Sequence, residues 1–127
     1  RLVRTICPEC KAEQEVSKDY LLKVDFPSTQ ISTAKFWHGT GCDVCGERGY
    51  QGRTGIYELL QNSEAIQALV IDSAAATVIG QQARSEGMLT LRDYGWNRAL
   101  AGVTTIEEVL RVTQAAEDSE AEPKENF

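Results

Sequence analysis

The chain has 127 residues, 42% of them hydrophobic and 25% charged, with a formal net charge of −6. That length suits one domain, or two small modules sharing a boundary. No apolar run approaches the roughly 18 residues a membrane span needs, no signal-peptide pattern opens the chain, and an acidic protein is poorly suited to gripping a nucleic-acid backbone.

The chain opens RLVRT, without a Met and with an Arg-flanked apolar pair that reads as the end of an element. A fragment whose first part is missing is therefore expected. CPECK follows, and then AEQEVSKDYLLKV, where Val16, Tyr20, Leu21 and Val24 recur at helical spacing. Phe26-Pro27-Ser28 should end that helix, because the residue before a proline is pushed out of the helical region. TAKFWHG reads as a short strand entering a second cysteine pair, and RTGIYELL as a strand leaving it.

From Ser63 the texture becomes helical. SEAIQALVI sets Ile66, Leu69 and Val70 on one face. Asp72 or Ser73 is placed to cap AAATVIGQQARSEG, with Gly87 as its stop. Thr90 begins LRDYGWNRALAG and Gly102 closes it; Thr105-Ile-Glu-Glu108 reads as a capping box opening IEEVLRVTQ. The expected fold class is α+β: a small tetracysteine lobe with short antiparallel strands over residues 1–60, then a module of about four helices over 61–113. Residues 1–60 carry eight basic and eight acidic groups, whereas 61–127 carry five and eleven. Much of that excess lies in residues 114–127, whose ending EDSEAEPKENF is too poor in apolar groups to offset its ordering entropy and is expected to be a disordered acidic tail.

All four cysteines fall in two C-x-x-C pairs, Cys7/Cys10 and Cys42/Cys45. Two residues between ligands let one tight turn offer both sulfurs to a single ion, and a tetrahedral site needs two such turns face to face. Structural zinc is the leading reading. Iron in the same four-cysteine spacing, and thiol or disulfide chemistry, are the alternatives. Four thiolates close the coordination sphere, so such a site is not catalytic. His38, the single histidine, precedes Cys42 by four residues and reads as a surface or strand residue, since a fifth ligand is unnecessary. No nucleophile–base pair stands out, so no catalytic residue is assigned. Gly52-Arg53-Thr54 imitates the end of a phosphate-binding loop, but that motif requires a glycine at position 47, which is Glu, and a lysine at position 53. Packing beside the cysteine turn is the expected role of Tyr50 and Arg53.

Three segments together resemble the C-terminal third of the assembly ATPases of bacterial type II secretion and type IV pili (general secretory pathway protein E and its pilus relatives). They are RLVRTICPEC, FWHGTGCDVCGERGYQGRTGIYELL and GMLTLRDYGWNRALAGVTTIEEVLRVT, spanning residues 1 to about 113. The resemblance implies a hexameric motor at the cytoplasmic face of the bacterial inner membrane, with zinc on Cys7, Cys10, Cys42 and Cys45. It implies as partners the parent's own ATPase core, neighbouring subunits and the secretion or pilus platform, without nucleic acid and without membrane insertion. ATP and Mg2+ would bind upstream residues that have no counterpart here, so this fragment is expected to have structural and interaction roles and no ATP site. The alternative is a free-standing zinc-ribbon protein-interaction adaptor.

Overall fold

The computed structural model describes the backbone of residues 1–121 and the side chains of residues 1–113. Four strands come first, in two antiparallel ribbons: β1 (Leu2–Ile6) with β4 (Tyr50–Gly55), and β2 (Lys11–Gln14) with β3 (Phe36–Gly39). The helix α1 (Lys18–Lys23) and a 3-10 turn (Ser28–Gln30) lie between β2 and β3. Four helices follow: α2 (Glu64–Ile71), α3 (Ala76–Ser85), α4 (Leu91–Leu100) and α5 (Ile106–Ala121). This is the expected α+β plan, a strand-built lobe ahead of four helices. The backbone of α5 also runs through residues 114–121, part of the stretch expected as an acidic tail; residues 122–127 lie outside the described residues.

Two local expectations change. The first helix is shorter than its periodicity indicates: Ser17 caps it by accepting a hydrogen bond from the Tyr20 amide, and Lys11–Gln14 forms β2 instead. The register from Lys11↔Gly39 to Gln14↔Phe36 supplies β2 with main-chain partners that no local helix signal can reveal. The strand expected from RTGIYELL lies earlier, over Tyr50–Gly55. Its pairing runs Leu2↔Gly55 to Arg4↔Arg53, then slips to Ile6↔Tyr50, so Gln51 and Gly52 face Thr5 alone. Gly52 has φ +79°, the left-handed conformation a bulge of this kind favours, and Thr5 Oγ1 donates to the Gln51 carbonyl. That glycine serves a strand bulge, not a phosphate loop.

Helix ends mostly follow the expected chemistry. Ser63 accepts from the Ile66 amide at the start of α2 and donates to Glu86 at the end of α3. Gly87 (φ +98°) and Gly102 (φ +76°) end α3 and α4 in the left-handed conformation, with Met88 N–H donating to Ala83 and Val103 N–H to Arg98 five residues back. For α3, neither Asp72 nor Ser73 is the cap: Ser73 is itself left-handed (φ 55°) in the turn closing α2, and Ala75 occupies the cap position without a side-chain bond.

The apolar core joins the strands to the last two helices. Leu21, Phe26 and Phe36 pack with Trp96, Ala99, Ile106 and Val109. Phe26 stands edge-on to Phe36 (centroids 5.3 Å apart) and to Trp96 (5.4 Å). A second cluster joins Val3 of β1 and Ile56 to Val112 of α5. Main-chain bonds reinforce the seam: Ile6 N–H donates to Val103 O at 2.9 Å, and Thr104 Oγ1 to Arg4 O at 2.7 Å. This base fixes the direction of β1 and β4 as they leave it. No helix among the described residues is long and apolar enough to cross a membrane.

Candidate metal centre

The topology brings the cysteines together. One C-x-x-C pair lies in the turn from β1 to β2, the other in the connection from β3 to β4. Because β1 pairs with β4 and β2 with β3, both turns emerge at one end of the ribbons. All four sulfurs lie within 4.8 Å of one another. Cys7 and Cys42 are 3.8 Å apart, Cys10 and Cys45 3.8 Å, and Cys42 and Cys45 3.7 Å. A zinc–sulfur bond of about 2.3 Å sets the edge of a sulfur tetrahedron at roughly 3.8 Å, the length of these three separations. None of the four is in a disulfide. His38 sits on β3 opposite Ala12, outside the sulfur cluster.

Backbone amides face the sulfurs. Gly41 N–H donates to Cys10 Sγ at 3.3 Å, Cys42 N–H to Cys45 Sγ at 3.4 Å, and Gly49 N–H to Cys45 Sγ at 3.2 Å. Four thiolates around a divalent cation leave a formal charge of −2, and these dipoles offset part of it. Their effect is visible at Cys45. Burial pushes its thiol up, but the amides of Gly49 and Cys42 and the thiols of Cys42 and Cys10 outweigh it and bring the thiol down to about 6. Cys10 is raised, by burial above all. At Cys42 the Cys45 backbone hydrogen bond pulls downward, yet burial and the neighbouring thiols carry the group to about 11.

Glycine is required where the turns close. Gly46 follows the second pair with φ +63°, as its position after the turn leads one to expect, and Gly41 and Gly49 are also left-handed. Gly39 and Gly49 meet face to face: a Cβ on Gly39 would lie 2.0 Å from the Gly49 carbonyl oxygen. That same oxygen accepts from Cys7 N–H at 3.0 Å. The contact therefore ties the end of β3 to the first cysteine.

Sequence reasoning missed the ionic group beneath this tip. Glu108 is 1% exposed and bound by two arginines and an amide: Arg4 Nε and Nη2 (2.9 and 2.8 Å), Arg111 Nε and Nη2 (3.1 and 2.8 Å), and Arg4 N–H (2.8 Å). Burial alone would raise its carboxyl; Arg111 and Arg4 overcome that and hold it down to about 2. The capping box expected at Thr105 is consequently only half made. Thr105 Oγ1 accepts from Glu108 N–H at 3.2 Å, but the Glu108 carboxylate is taken by Arg4, 104 residues away. A complete box forms instead at Thr90 and Asp93. Tyr50 joins the group, its hydroxyl 2.8 Å from Thr105 Oγ1 and its ring 4.1 Å from the Arg4 guanidinium carbon. Tyr50 is thus a packing residue, while Arg53 lies exposed on β4.

Comparison with known proteins follows the same lines. The family model described as type II/IV secretion system protein matches residues 1–111. The chain is 43% identical over 114 residues to the type IV pilus assembly ATPase PilB of Pseudomonas aeruginosa, covering 90% of this chain and 20% of that protein. It is 41% identical over 113 residues to the type IV pilus assembly ATPase PilB of Thermus thermophilus, covering 89% of this chain and 13% of that protein. It is 38% identical over 114 residues to the type II secretion system ATPase E of Vibrio cholerae, covering 90% of this chain and 22% of that protein. The chain thus corresponds to a minor part of each relative's length.

Proposed function

The chain belongs to the type II/IV secretion system protein family, and from that premise we propose that it forms the zinc-binding and helical portion of an ATPase that powers protein secretion or pilus assembly. Its role is structural and interactive. Cys7, Cys10, Cys42 and Cys45 hold one zinc ion, which closes the tip of the β-ribbons (residues 1–60), while residues 61–113 supply the helices that brace it. ATP and Mg2+ belong to the catalytic site in other parts of the longer parent, and this portion holds no site that hydrolyses nucleotide. In the parent it works within a hexamer at the cytoplasmic side of the inner membrane, against the ATPase core, neighbouring subunits and the secretion or pilus platform.

The observation that carries the zinc reading is the gathering of four sulfurs within 4.8 Å of one another, three of the separations being the 3.7 to 3.8 Å of a tetrahedral thiolate site. The lobe also needs such a bond. At the tip Cys7, Cys45 and Gly49 are buried, and too few apolar side chains gather there to order two turns. The partner reading draws on an apolar surface at the other side of the molecule. Tyr57, Leu59 (76% exposed), Leu60 and Leu89 lie open to solvent, and Tyr57, Leu59, Met88 and Leu89 line a groove of about 620 Å³. An isolated soluble domain rarely leaves so much apolar surface uncovered in one region.

The test is metal analysis of the purified chain, joined to an ATP hydrolysis assay. One equivalent of zinc, lost in Cys42→Ser, with no release of phosphate from Mg-ATP, is the expected result. One equivalent of iron would replace the metal assignment, and a chain that purifies metal-free with reactive thiols would remove it. Release of phosphate from Mg-ATP by this chain would end the reading of this portion as non-catalytic.

A further inference from the structure

A second site lies on the outer face of β4, below the cysteine turns. Arg4, Arg48, Tyr50, Gly52 and Arg53 line a cleft of about 320 Å³, and no acidic residue lines it. Arg4 and Arg53 stand directly opposite each other in the β1·β4 register. Like charges in that arrangement repel, so the pairing costs stability unless an anion lies between or beside them. Glu108 does not neutralise the group: one carboxylate is shared by Arg4 and Arg111, which leaves a positive charge over. Arg48 donates through Nε to the Cys45 carbonyl at 3.1 Å, which leaves its two terminal nitrogens unpartnered among the described residues. The Arg53 guanidinium makes no hydrogen bond or ion pair among the described residues. On a chain of net charge −6, three guanidinium groups gather on one small surface.

The cleft is also held in place before any ligand arrives. Arg4 is clamped at 2.8 to 2.9 Å by Glu108 and packs over the Tyr50 ring, whose hydroxyl is fixed by Thr105. Arg48 is held by the backbone of the cysteine turn. Gly52, left-handed and without a side chain, allows a ligand to approach the bulged main chain of β4. Planar guanidinium forks on a rigid base suit bidentate recognition of a tetrahedral oxyanion.

We propose that the Arg4–Arg48–Arg53 cleft is a binding site for a phosphoryl group, carried either by a small soluble phosphate compound or by a phospholipid headgroup. The inference does not depend on the metal assignment or on the parent's activity. Arg53 and Arg48 grip the ligand; Arg4 supplies the fixed charge at the base.

The experiment is calorimetric titration of the full 127-residue chain with inorganic pyrophosphate. Flotation with vesicles of phosphatidylcholine, alone or mixed with phosphatidylglycerol, runs beside it. One saturable site is expected, weakened at least about tenfold in Arg53→Gln and in Arg48→Gln and partly retained in Arg53→Lys. Arg98→Gln, a control at the guanidinium packed on Tyr94, should bind as the parent chain does. Thermal melting of each variant guards against loss of fold. Binding of pyrophosphate marks a soluble phosphate ligand, and binding of anionic vesicles alone marks a headgroup; either supports the site if Arg53→Gln removes it. No binding to either probe, or binding that Arg98→Gln weakens as much as Arg53→Gln, overturns it.

Discussion

The two helix pairs are built from similar parts and are treated differently by the rest of the molecule. Both α3 and α4 end on a left-handed glycine, and both α2 and α4 begin on a hydroxyl cap. Yet α4 and α5 bury Trp96, Ala99, Ile106 and Val109 against α1 and the strands, whereas α2 and α3 bury only Ile66 and Ala83. In α2 and α3, Val70, Ile71 and Val78 remain exposed. The closing helices therefore belong energetically to the cysteine lobe, although residues 56–90 separate them from β4 in sequence. The first pair is tied to the body mainly by its own packing and by connectors. Helices of eight and ten residues are marginal without such packing, so this pair should be the least stable part of the structure.

The largest effect should come from cutting the shared core. Trp96→Ala removes the ring that meets Phe26 edge-on and leaves a cavity between α4 and α1. Loss of about 3–5 kcal/mol in urea denaturation is expected, with strands and closing helices melting together. If the strand signal survives while α4 and α5 melt, the strands and the closing helices are separate units that share no core.

Next is the ionic clamp that holds α5 on β1. The Glu108 carboxyl is depressed from 4.5 to about 2 by Arg111 and Arg4. A depressed acid stabilises the fold fully above its unfolded value, and the contribution disappears as pH falls from about 4.5 through about 2. The size of the shift sets it at roughly 3 kcal/mol. Glu108→Gln should therefore lower stability by about that amount near pH 7 and by little near pH 2. Denaturation midpoints measured across that range give the answer; equal loss at both ends would show that packing, not charge, holds the seam.

The sites of these first two variants show where the sequence was legible. The cysteine cluster could be read because its signal is local: two C-x-x-C turns need only be brought face to face. The helix start at Thr90 and the stops at Gly87 and Gly102 were legible for the same reason. Strand β2 was not, since Lys11–Gln14 lies in a helix-like pattern and owes its conformation to β3, more than twenty residues on. Glu108 misled in the same way. Thr-x-x-Glu is a genuine local signal, but an arginine 104 residues away offers the carboxylate more than the local amide can. The bulge at Gly52 is a register property, and register belongs to two strands at once.

A smaller effect separates the helix pairs through their caps. Thr90 accepts from Asp93 N–H at 3.1 Å, and Asp93 accepts from Thr90 N–H at 3.2 Å. Thr90→Ala should cost about 1 kcal/mol of global stability, because α4 cannot open without the core. Ser63→Ala removes the corresponding cap of α2, but hydrogen exchange should quicken in α2 and α3 while the global midpoint moves less. Equal shifts in the global midpoint would mean that the first pair is as firmly joined as the second.

The smallest effect is the most informative about that first pair. Ile71 is 81% exposed at the end of α2, so Ile71→Ser takes nothing from the core. Stability of the chain should change by no more than about 0.5 kcal/mol. On the proposed reading of the chain as part of a longer ATPase, an exposed isoleucine kept only by chance would be equally silent in that parent. If α2 meets the ATPase core or a neighbouring subunit, the same substitution weakens assembly of the parent while leaving this portion folded. Sedimentation of parent particles carrying Ile71→Ser, beside a melting curve of the isolated chain, separates the two cases. Loss of assembly at unchanged melting temperature identifies the α2 face as a contact surface. Unchanged assembly returns it to solvent, and the open side of the helix pair would then need another explanation.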